Sequence, residues 1–323
     1  MANAQSPLNV YITVDTETWC GGWKNIDEKF PHAFSNYIYG KTSQGDFGLP
    51  LQLKLLNEYG LKAVFFVEPL FSMRFGKSYL DEVVGMILDA KQSVELHIHP
   101  EWTDESKKVI FPHIKNKREH LKYFTFEEQK ELISLGIQLL TDAGCKNISA
   151  FRAGSFGAND DTLRAVQACG LIYDSSYNYC NSDCEIKAFS DIQQPQMFDQ
   201  IIEVPMSTFI DGTGKRRHTQ LTACSFAELK SSLNQAYNHQ WQSYVLLSHS
   251  FELMKLAEAQ PDKVVIKRFE KFCAYLNQHR DRFNTRFFNE MDIPYNLSPT
   301  EPIKSSFLPT AIRIYEQALR RVL

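Results

Sequence analysis

The sequence has no strong excess of charge of either sign. Its 35 lysines and arginines against 38 aspartates and glutamates give a formal net charge of -3 over 323 residues, and the nearest approach to a basic run is the short cluster at 115–118. Proteins that bind nucleic acids or anionic membranes concentrate Lys and Arg, because phosphates must be neutralised. We therefore expect no nucleic-acid partner.

Long apolar runs are also missing. No stretch of the chain approaches the roughly 20 apolar residues that cross a bilayer. Residues 1–7 do not combine a basic start with an apolar stretch, as a secretory signal does. These features predict no membrane span and a cytoplasmic location, unless a leader has been removed.

Cysteine is scarce and irregularly spaced. The seven cysteines are an odd number and show neither a zinc-ribbon spacing nor a disulfide framework, so we expect reduced thiols. Cys180 and Cys184 lie close in sequence, but no neighbouring side chains complete a four-ligand metal set. With 43% hydrophobic residues, the chain has the composition of one principal globular domain.

Strand-like apolar runs alternate with helix-like segments along the chain. Capping-box pairs mark two helix starts, Thr125 with Glu128 and Ser225 with Glu228, and Pro261 is predicted as the first residue of a later helix. Repeated β-then-α units favour an α/β fold with a parallel sheet, either closed as a barrel or left open.

Chemically versatile side chains stand where the predicted strands end. The members of this set are Asp15, Glu17, His97, His99, Arg152, Asp174 and His249. If the strands are parallel, their C-terminal ends gather at one face, which is where such folds build their sites. The combination of acids, imidazoles and a guanidinium is typical of a metal-dependent hydrolase.

The two closely spaced pairs predict a metal site. Residues two apart in a strand point to the same side, so His97 and His99 can reach one ion, and Asp15 and Glu17 likewise share a side. One carboxylate with two imidazoles and an open position is the ligand set of catalytic zinc-type sites. The alternatives are a histidine that caps a strand, a hydrogen-bonded core histidine and acids that cap helices.

The remaining residues complete a hydrolytic mechanism. Asp15 is the expected base, Arg152 the cation that orients it, and His249 the proton donor to the leaving group. Asp174 is expected to hold His249 protonated and correctly turned. The alternative for Arg152 and Asp174 is an ordinary ion pair.

Five ordered motifs resemble those of the polysaccharide deacetylases, the NodB-homology or carbohydrate esterase family 4 domain. They are Thr13-Val14-Asp15-Thr16-Glu17, His97-Ile98-His99-Pro100, Phe151-Arg152-Ala153-Gly154, Tyr173-Asp174-Ser175-Ser176 and Leu247-Ser248-His249. The resemblance spans roughly residues 8–252. It implies a distorted, TIM-like (β/α)7 barrel that uses one divalent cation to remove an N-acetyl, less often O-acetyl, group from a sugar.

The resemblance also assigns individual positions. Asp15 matches the base, His99 a metal histidine, Arg152 the residue that orients the base, Asp174 the acid that tunes the catalytic histidine, and His249 that histidine. It further implies that Leu247 lines the acetyl pocket and that a backbone N–H near Ser155 helps to bind the oxyanion.

Three positions depart from the family pattern. Thr16 stands where the second of two adjacent aspartates is usual, so Glu17 must bind the metal instead. The usual histidines lie four apart, which places Glu95 at the first position and leaves His97 as the candidate. Gly154 replaces the usual proline and leaves its turn less constrained.

Aromatic residues near the expected site are candidates for substrate contact. The stretch 19–47, rich in Gly, Asn, Tyr and Trp, is predicted to be an irregular loop over the site. Within it Trp19 and Trp23, and beyond it Trp102, have the size and flatness to stack on a sugar ring. The alternative is that these large side chains belong to the core.

The expected function is metal-dependent removal of an N-acetyl group from a sugar or glycan. Zinc is the expected ion, with cobalt, nickel and manganese as alternatives. Two other functions remain open: hydrolysis of another linear or cyclic amide, and sugar binding by a catalytically silent barrel.

The C-terminal region is predicted to lie outside the barrel. The expected division is a barrel over residues 1–282 and an extension over 283–323 that ends in an amphipathic helix, Leu308 to Leu323. This helix could cover the barrel or join a second copy in a homo-oligomer.

Overall fold

A computed structural model describes residues 5–291 and 302–322, and its centre is one curled sheet of nine strands. The strands are β1 (Leu8–Thr16), β2 (Ala63–Val67), β3 (Ser93–Ile98), β4 (Ala150–Ala153), β5 (Tyr173–Asp174), β6 (Gln196–Phe198), β7 (Ile201–Glu203), β8 (Ser243–His249) and β9 (Phe283–Thr285). The order is β8-β1-β2-β3-β4-β5-β7-β6, and β9 also pairs with β1. Neighbouring strands in this order are parallel to one another, except that β6 runs antiparallel to β7. The expected α/β fold of the distorted (β/α)7 barrel type is confirmed, and the sheet itself is a curled half-barrel.

Helices cover the outer face of the sheet. They are α1 (Ile26–Phe34), α2 (Leu49–Glu58), α3 (Lys77–Asp89), α4 (Phe126–Asp142), α5 (Asp160–Ala168), α6 (Phe226–Asn238), α7 (Lys263–Gln278) and α8 (Phe307–Val322). Short helical turns also occur at Ser72–Phe75 and Pro100–Glu105. No helix in the described part of the chain is long and apolar enough to cross a membrane.

The alternation of side chains along the strands separates two apolar layers. In β1, Val10, Ile12 and Val14 face the helices, whereas Tyr11 belongs to a smaller cluster inside the curl. By the same period of two, Asp15 lies on the inner face with Tyr11. The inside of the curl is therefore apolar along its length and polar at the C-terminal ends of the strands.

A loop segment extends the sheet beyond β8. The Leu247 N–H donates to the Thr219 carbonyl, and the Leu221 N–H donates to the Leu247 carbonyl, each at 2.9 Å. Thr219 in turn donates its N–H to the Ser207 carbonyl at 2.9 Å. Residues 207–221 thus fill part of the gap between β7 and β8, next to His249.

The helix starts follow the sequence prediction closely. Thr125 and Ser225 form capping boxes with Glu128 and Glu228, as expected. Pro261 is not the first helical residue, however, because Asp262 caps α7 by accepting N–H groups from the first turn. The carboxylate of Asp262 accepts hydrogen bonds from backbone N–H groups of the first turn, which a proline side chain at the cap position could not do.

The stretch 19–47 is more regular than predicted. It contains α1, which continues as a π-helical turn over Ser35–Tyr39, and a short hairpin of Lys41–Thr42 with Gly45–Asp46. Helix α1 buries Ile26, Phe30 and Phe34 on one face. The helix forms despite Pro31 in its interior, because this apolar face packs against the core. The prediction of an irregular loop is therefore wrong for this helix.

Helix α8 lies against the rest of the chain. Arg313 donates to Asp211 at 2.7 Å and to Glu228 at 3.0 Å, and all three side chains are buried. The preceding strand Ile303–Lys304 pairs with Thr208–Ile210, which also pairs with Arg216–His218. The helix therefore covers its own barrel. Since β9 belongs to the main sheet, the first residues of the expected extension are part of the sheet; Leu323 lies outside the described residues.

Candidate metal centre and catalytic site

Neighbouring strands bring the predicted site residues together at their C-terminal ends. Asp15 in β1 is paired in register with His249 in β8, and His97 in β3 is paired with Arg152 in β4. Asp15, His97 and Arg152 lie on the inner face, because Val14, Leu96 and Phe151 before them belong to the layer that packs against the helices. His249 lies on the same face, two residues after Leu247 of the inner cluster. The rim of the curl therefore collects acids, imidazoles and a guanidinium from separate parts of the chain.

Glu17, His97 and His99 form a buried group that could hold a metal ion. One ligand atom from each residue lies within 4.8 Å of the others. The Oε2 atom of Glu17 is 2.6 Å from His99 Nε2 and 3.4 Å from His97 Nε2. Among the described residues, this buried oxygen has no well-aligned hydrogen bond. One carboxylate oxygen and two imidazole nitrogens aimed at a common point fit a divalent cation of the zinc type.

The tautomer of His97 suits a metal ligand. Its Nδ1 atom lies 2.7 Å from the backbone carbonyl of Arg152. A carbonyl oxygen only accepts, so Nδ1 carries the proton and donates it. In the neutral ring Nε2 then has a free lone pair, and this atom faces Glu17. A backbone carbonyl that orients a ligand histidine in this way is a common feature of metal sites.

His99 is held by two residues that sequence reasoning did not select. Its Nδ1 atom lies 3.4 Å from Glu101 Oε2, which places a buried carboxylate behind the ring. The ring also packs on Gly154, where an added Cβ would lie 2.6 Å from Nδ1. A side chain at this position would therefore crowd the ring of His99.

Opposite charges stabilise one another inside the group. Burial raises the pKa of Glu17, but the charge of His99 and the close polar contacts with both imidazoles outweigh burial and hold this pKa well below the usual range. Burial lowers the pKa of His99, yet Glu17 and Glu101 raise it well above the usual range. Without a cation, a proton therefore stays between Glu17 and His99. A metal ion bound by these side chains would displace that proton.

Asp15 is held rigidly beside the metal group. Arg152 Nη1 donates to Asp15 Oδ1 at 2.7 Å and to Thr13 Oγ1 at 3.0 Å. The guanidinium is buried and lies over the Phe66 ring at 4.3 Å. The other oxygen of Asp15, Oδ2, is 4.0 Å from His97 Nε2. One carboxylate oxygen is thus fixed by the arginine, and the other faces the metal group.

His249 lies beside Asp15 on the neighbouring strand β8, and its side chain is 21% exposed. Its Nδ1 atom lies 3.0 Å from Glu252 Oε1. Burial alone would lower the pKa of the imidazole, but Glu252, Glu17 and Asp15 raise it to about 9. At neutral pH the ring therefore carries a proton that it can donate.

Comparison with known proteins supports the fold. No protein-family model matches the sequence, and no curated protein matches it. A Mycobacterium smegmatis structure provisionally described as a polysaccharide deacetylase has a TM-score of 0.60 at 17% identity, over 93% of this chain and 96% of that one. This protein has the fold of the polysaccharide deacetylases. The predicted resemblance is confirmed at that level.

Two further structures also match this deacetylase-fold chain. A pseudoenzyme of carbohydrate esterase family 4 from Bacillus anthracis has a TM-score of 0.45 at 12% identity, over 92% of this chain and 69% of that one. A peptidoglycan N-acetylglucosamine deacetylase has a TM-score of 0.44 at 12% identity, over 91% and 94%.

Within this deacetylase fold, Asp174 does not have the predicted contact with His249. Its carboxylate accepts hydrogen bonds from Ser176 N–H at 2.8 Å and Ser176 Oγ at 3.0 Å. Tyr173 belongs to the cluster inside the curl, so Asp174, one residue later, faces the outer side of the sheet. There it pairs with Glu203 on β7, and burial raises the pKa of both carboxyl groups. The expectation that Asp174 holds the imidazole is wrong; the carboxylate beside His249 is Glu252.

The predicted substrate-contact residues differ in access. Leu247 packs in the inner cluster below His249. Ser155 is exposed with φ +52°, and its carbonyl accepts a hydrogen bond from Asn181. Trp19 is half-buried and lies edge-on to His99, with ring centres 4.7 Å apart. Trp102 is only 1% exposed, so in this structure it supports Trp19 from below and presents no face to a sugar.

The deacetylase fold also brings an unpredicted aromatic pair to the rim. Tyr37 and Phe251 meet edge-on at 4.9 Å, and Phe251 lies 5.2 Å from the ring of His249. Burial, and to a smaller extent the acidic groups of Glu17 and Cys20, raise the pKa of Tyr37. Tyr37 lies in the π-helical turn, which sequence reasoning had interpreted as a loop.

Proposed function

We propose that this protein is a metal-dependent hydrolase that removes an N-acetyl group from a sugar or glycan. The observation that carries the proposal is the arrangement of Glu17, His97 and His99 beside an arginine-held Asp15, with His249 on the neighbouring strand. This set contains a ligand group, a base and a proton donor at one rim of the sheet. The deacetylase fold is consistent with this chemistry.

Glu17, His97 and His99 would hold the cation, and a carboxylate with two imidazoles suits zinc; cobalt, nickel and manganese are the alternatives. A bound divalent cation supplies Lewis-acid chemistry, because it lowers the pKa of a water molecule and polarises a carbonyl group. The chain's own residues perform the remaining steps.

Asp15 accepts the proton of the attacking water at Oδ2, since Arg152 already engages Oδ1. The attack forms a C–O bond at the acetyl carbonyl, and the C–N bond then breaks. His249 donates a proton from Nε2 to the departing nitrogen, because Nδ1 is occupied by Glu252. The immediate products are acetic acid and a free amine, with Asp15 protonated and His249 neutral. Transfer of the Asp15 proton to His249 through solvent restores both groups, and acetic acid ionises to acetate on release.

An N-acetylated sugar or glycan is the proposed partner. The half-buried indole of Trp19 and the pair formed by Tyr37 and Phe251 flank the polar group, and aromatic faces of this kind pack well against sugar rings. A cytoplasmic substrate, such as a precursor for glycan assembly, stays a prediction from the sequence.

Mass spectrometry for loss of an acetyl group tests the proposal. The substrates are a panel of N-acetylated sugars, nucleotide sugars and oligosaccharides, with protein purified without chelator and supplied with zinc or cobalt. Asp15→Asn and His249→Ala serve as inactive controls. Release of ammonia or a ring-opened product from cyclic amides would instead indicate another amidohydrolase. Sugar binding without turnover and without bound metal would identify a silent barrel.

A further inference from the structure

Glu252 is a buried carboxylate that collects hydrogen bonds around His249. Its Oε1 atom accepts from Thr222 Oγ1 at 3.0 Å and from the side-chain amide of Gln220, and it lies 3.0 Å from His249 Nδ1. Its Oε2 atom accepts from Ser248 Oγ at 3.3 Å. Glu252 therefore faces donors from two separate segments, residues 220–222 and the end of β8.

The hydrogen bonds behind Glu252 form a chain with one consistent direction. Asn178 Oδ1 accepts from the Cys180 N–H at 3.0 Å, which turns its amide nitrogen toward His218 Nδ1 at 3.4 Å. His218 Nδ1 must then accept, so its Nε2 carries the proton and donates to Gln220 Oε1 at 3.1 Å. Gln220 has its amide nitrogen left to donate to Glu252.

Every side chain in this hydrogen-bonded series is thus fixed as a donor or an acceptor at each contact. With its donors supplied from behind, Glu252 acts only as an acceptor, which requires His249 Nδ1 to carry a proton. Burial lowers the pKa of His218, which keeps that ring neutral in the tautomer described above. The other charged groups around His249 are Asp15 in β1 and Glu17 just after it, and both lie on the side of the cation group.

We propose that Glu252, held by Gln220, is a positioning residue that fixes the His249 ring with its Nδ1–H directed inward and its Nε2 directed at the substrate. This inference rests on the proposed function, in which Nε2 supplies the proton to the leaving nitrogen. It assigns to Glu252 the role that the family resemblance gave to Asp174. An acceptor behind the ring restricts the tautomer and the orientation of a catalytic histidine.

The variant that tests this role is Glu252→Gln, which keeps the shape and removes the charge. We expect kcat for acetyl release to fall about 100-fold with KM little changed, because proton donation is impaired and binding is not. Glu258→Gln is the matched control, since that exposed side chain pairs only with Lys255 in the described structure. It should retain wild-type kcat.

Nitrogen-15 NMR of the His249 ring separates positioning from a merely structural role. The wild-type protein should show a protonated Nδ1, assigned by its absence in His249→Ala, and Glu252→Gln should lose this signature near neutral pH. A Glu252→Gln protein with wild-type ring signals would overturn the proposal, whatever its activity. If wild-type protein releases no acetate, the proposed reaction fails, while the ring signals still decide the positioning role.

A second variant covers the case in which Glu252→Gln does not fold. Gln220→Leu removes one donor to Glu252 and leaves the carboxylate in place. We expect a loss of about 10-fold in kcat and a change of the His249 signals in the same direction. Wild-type values for both would overturn the inference.

Discussion

Gly154, directly after β4, allows the main chain to lie close to the ring of His99, and its replacement gives a sharp test of the site. A Cβ added at this position would lie 2.6 Å from His99 Nδ1 and 2.7 Å from Cε1 and Cγ. Ordinary contact begins at 3.4 Å, so the ring must retreat by about 0.8 Å, the difference between 3.4 and 2.6 Å. The backbone of Gly154 does not have a positive φ, so alanine fits the main-chain conformation and only the ring is disturbed.

The displacement exceeds what a metal ligand tolerates. Metal–ligand distances vary by about 0.2 Å, and loss of ligand orientation typically weakens metal affinity 10- to 100-fold. We expect Gly154→Ala to bind zinc about 100-fold more weakly, which corresponds to about 2.7 kcal/mol. The free energy of unfolding should fall by about 1–3 kcal/mol, as for other overpacked positions.

Competition with a chromophoric chelator measures the affinity, and a denaturant titration of metal-free protein measures the stability. Gly85→Ala is the matched control, because a Cβ there meets nothing within 4 Å in the middle of α3. That variant should bind zinc normally and gain about 0.5–1 kcal/mol from helix propensity. Unchanged zinc affinity in Gly154→Ala would refute the packing argument for His99.

Four other predictions concern the polar group itself. Asp15→Asn should reduce kcat by about 10²- to 10⁴-fold while bound metal, measured by elemental analysis, stays unchanged, since Asp15 is a base and not a ligand; loss of the metal would contradict this. Glu17→Gln should lose most of the metal, and full occupancy would exclude Glu17 as a ligand. Arg152→Met should lower the free energy of unfolding by about 3–5 kcal/mol, because it leaves Asp15 charged and unpaired in the interior. A smaller loss in a denaturant titration would indicate that solvent reaches the Asp15 carboxylate. The pKa of His249, raised to about 9, predicts that activity falls as pH rises through about 9. The stability that the charged ring contributes should be complete below about pH 6.5 and lost between about pH 6.5 and 9. A pH–kcat profile without an alkaline limb near 9 would contradict the assignment.

Much of the site could be predicted because its geometry is local. A strand has a period of two, so Asp15 and Glu17 share one side at the end of β1, and His97 and His99 share one side at the end of β3. Helix caps at Thr125 and Ser225 are similarly local, since each box closes within three residues.

The same period of two could not exclude Asp174 from the sequence alone. Tyr173 packs inside the curl with Phe288, so the next side chain must face the helices. The strand is only two residues long, and its apolar neighbours do not by themselves indicate which face is inner. In so short a strand, the neighbouring strands of the sheet determine which side chain faces inward.

What the sequence by itself determined is therefore the set of polar pairs, their common sides and the alternation of strands and helices, because these depend on backbone periodicity and on contacts a few residues apart. Only the tertiary structure decided that Glu252 and not Asp174 faces His249, that Trp102 is covered, and that Gly154 makes room for His99. These outcomes depend on distances between segments far apart in the chain, and packing sets such distances only when the whole sheet has closed.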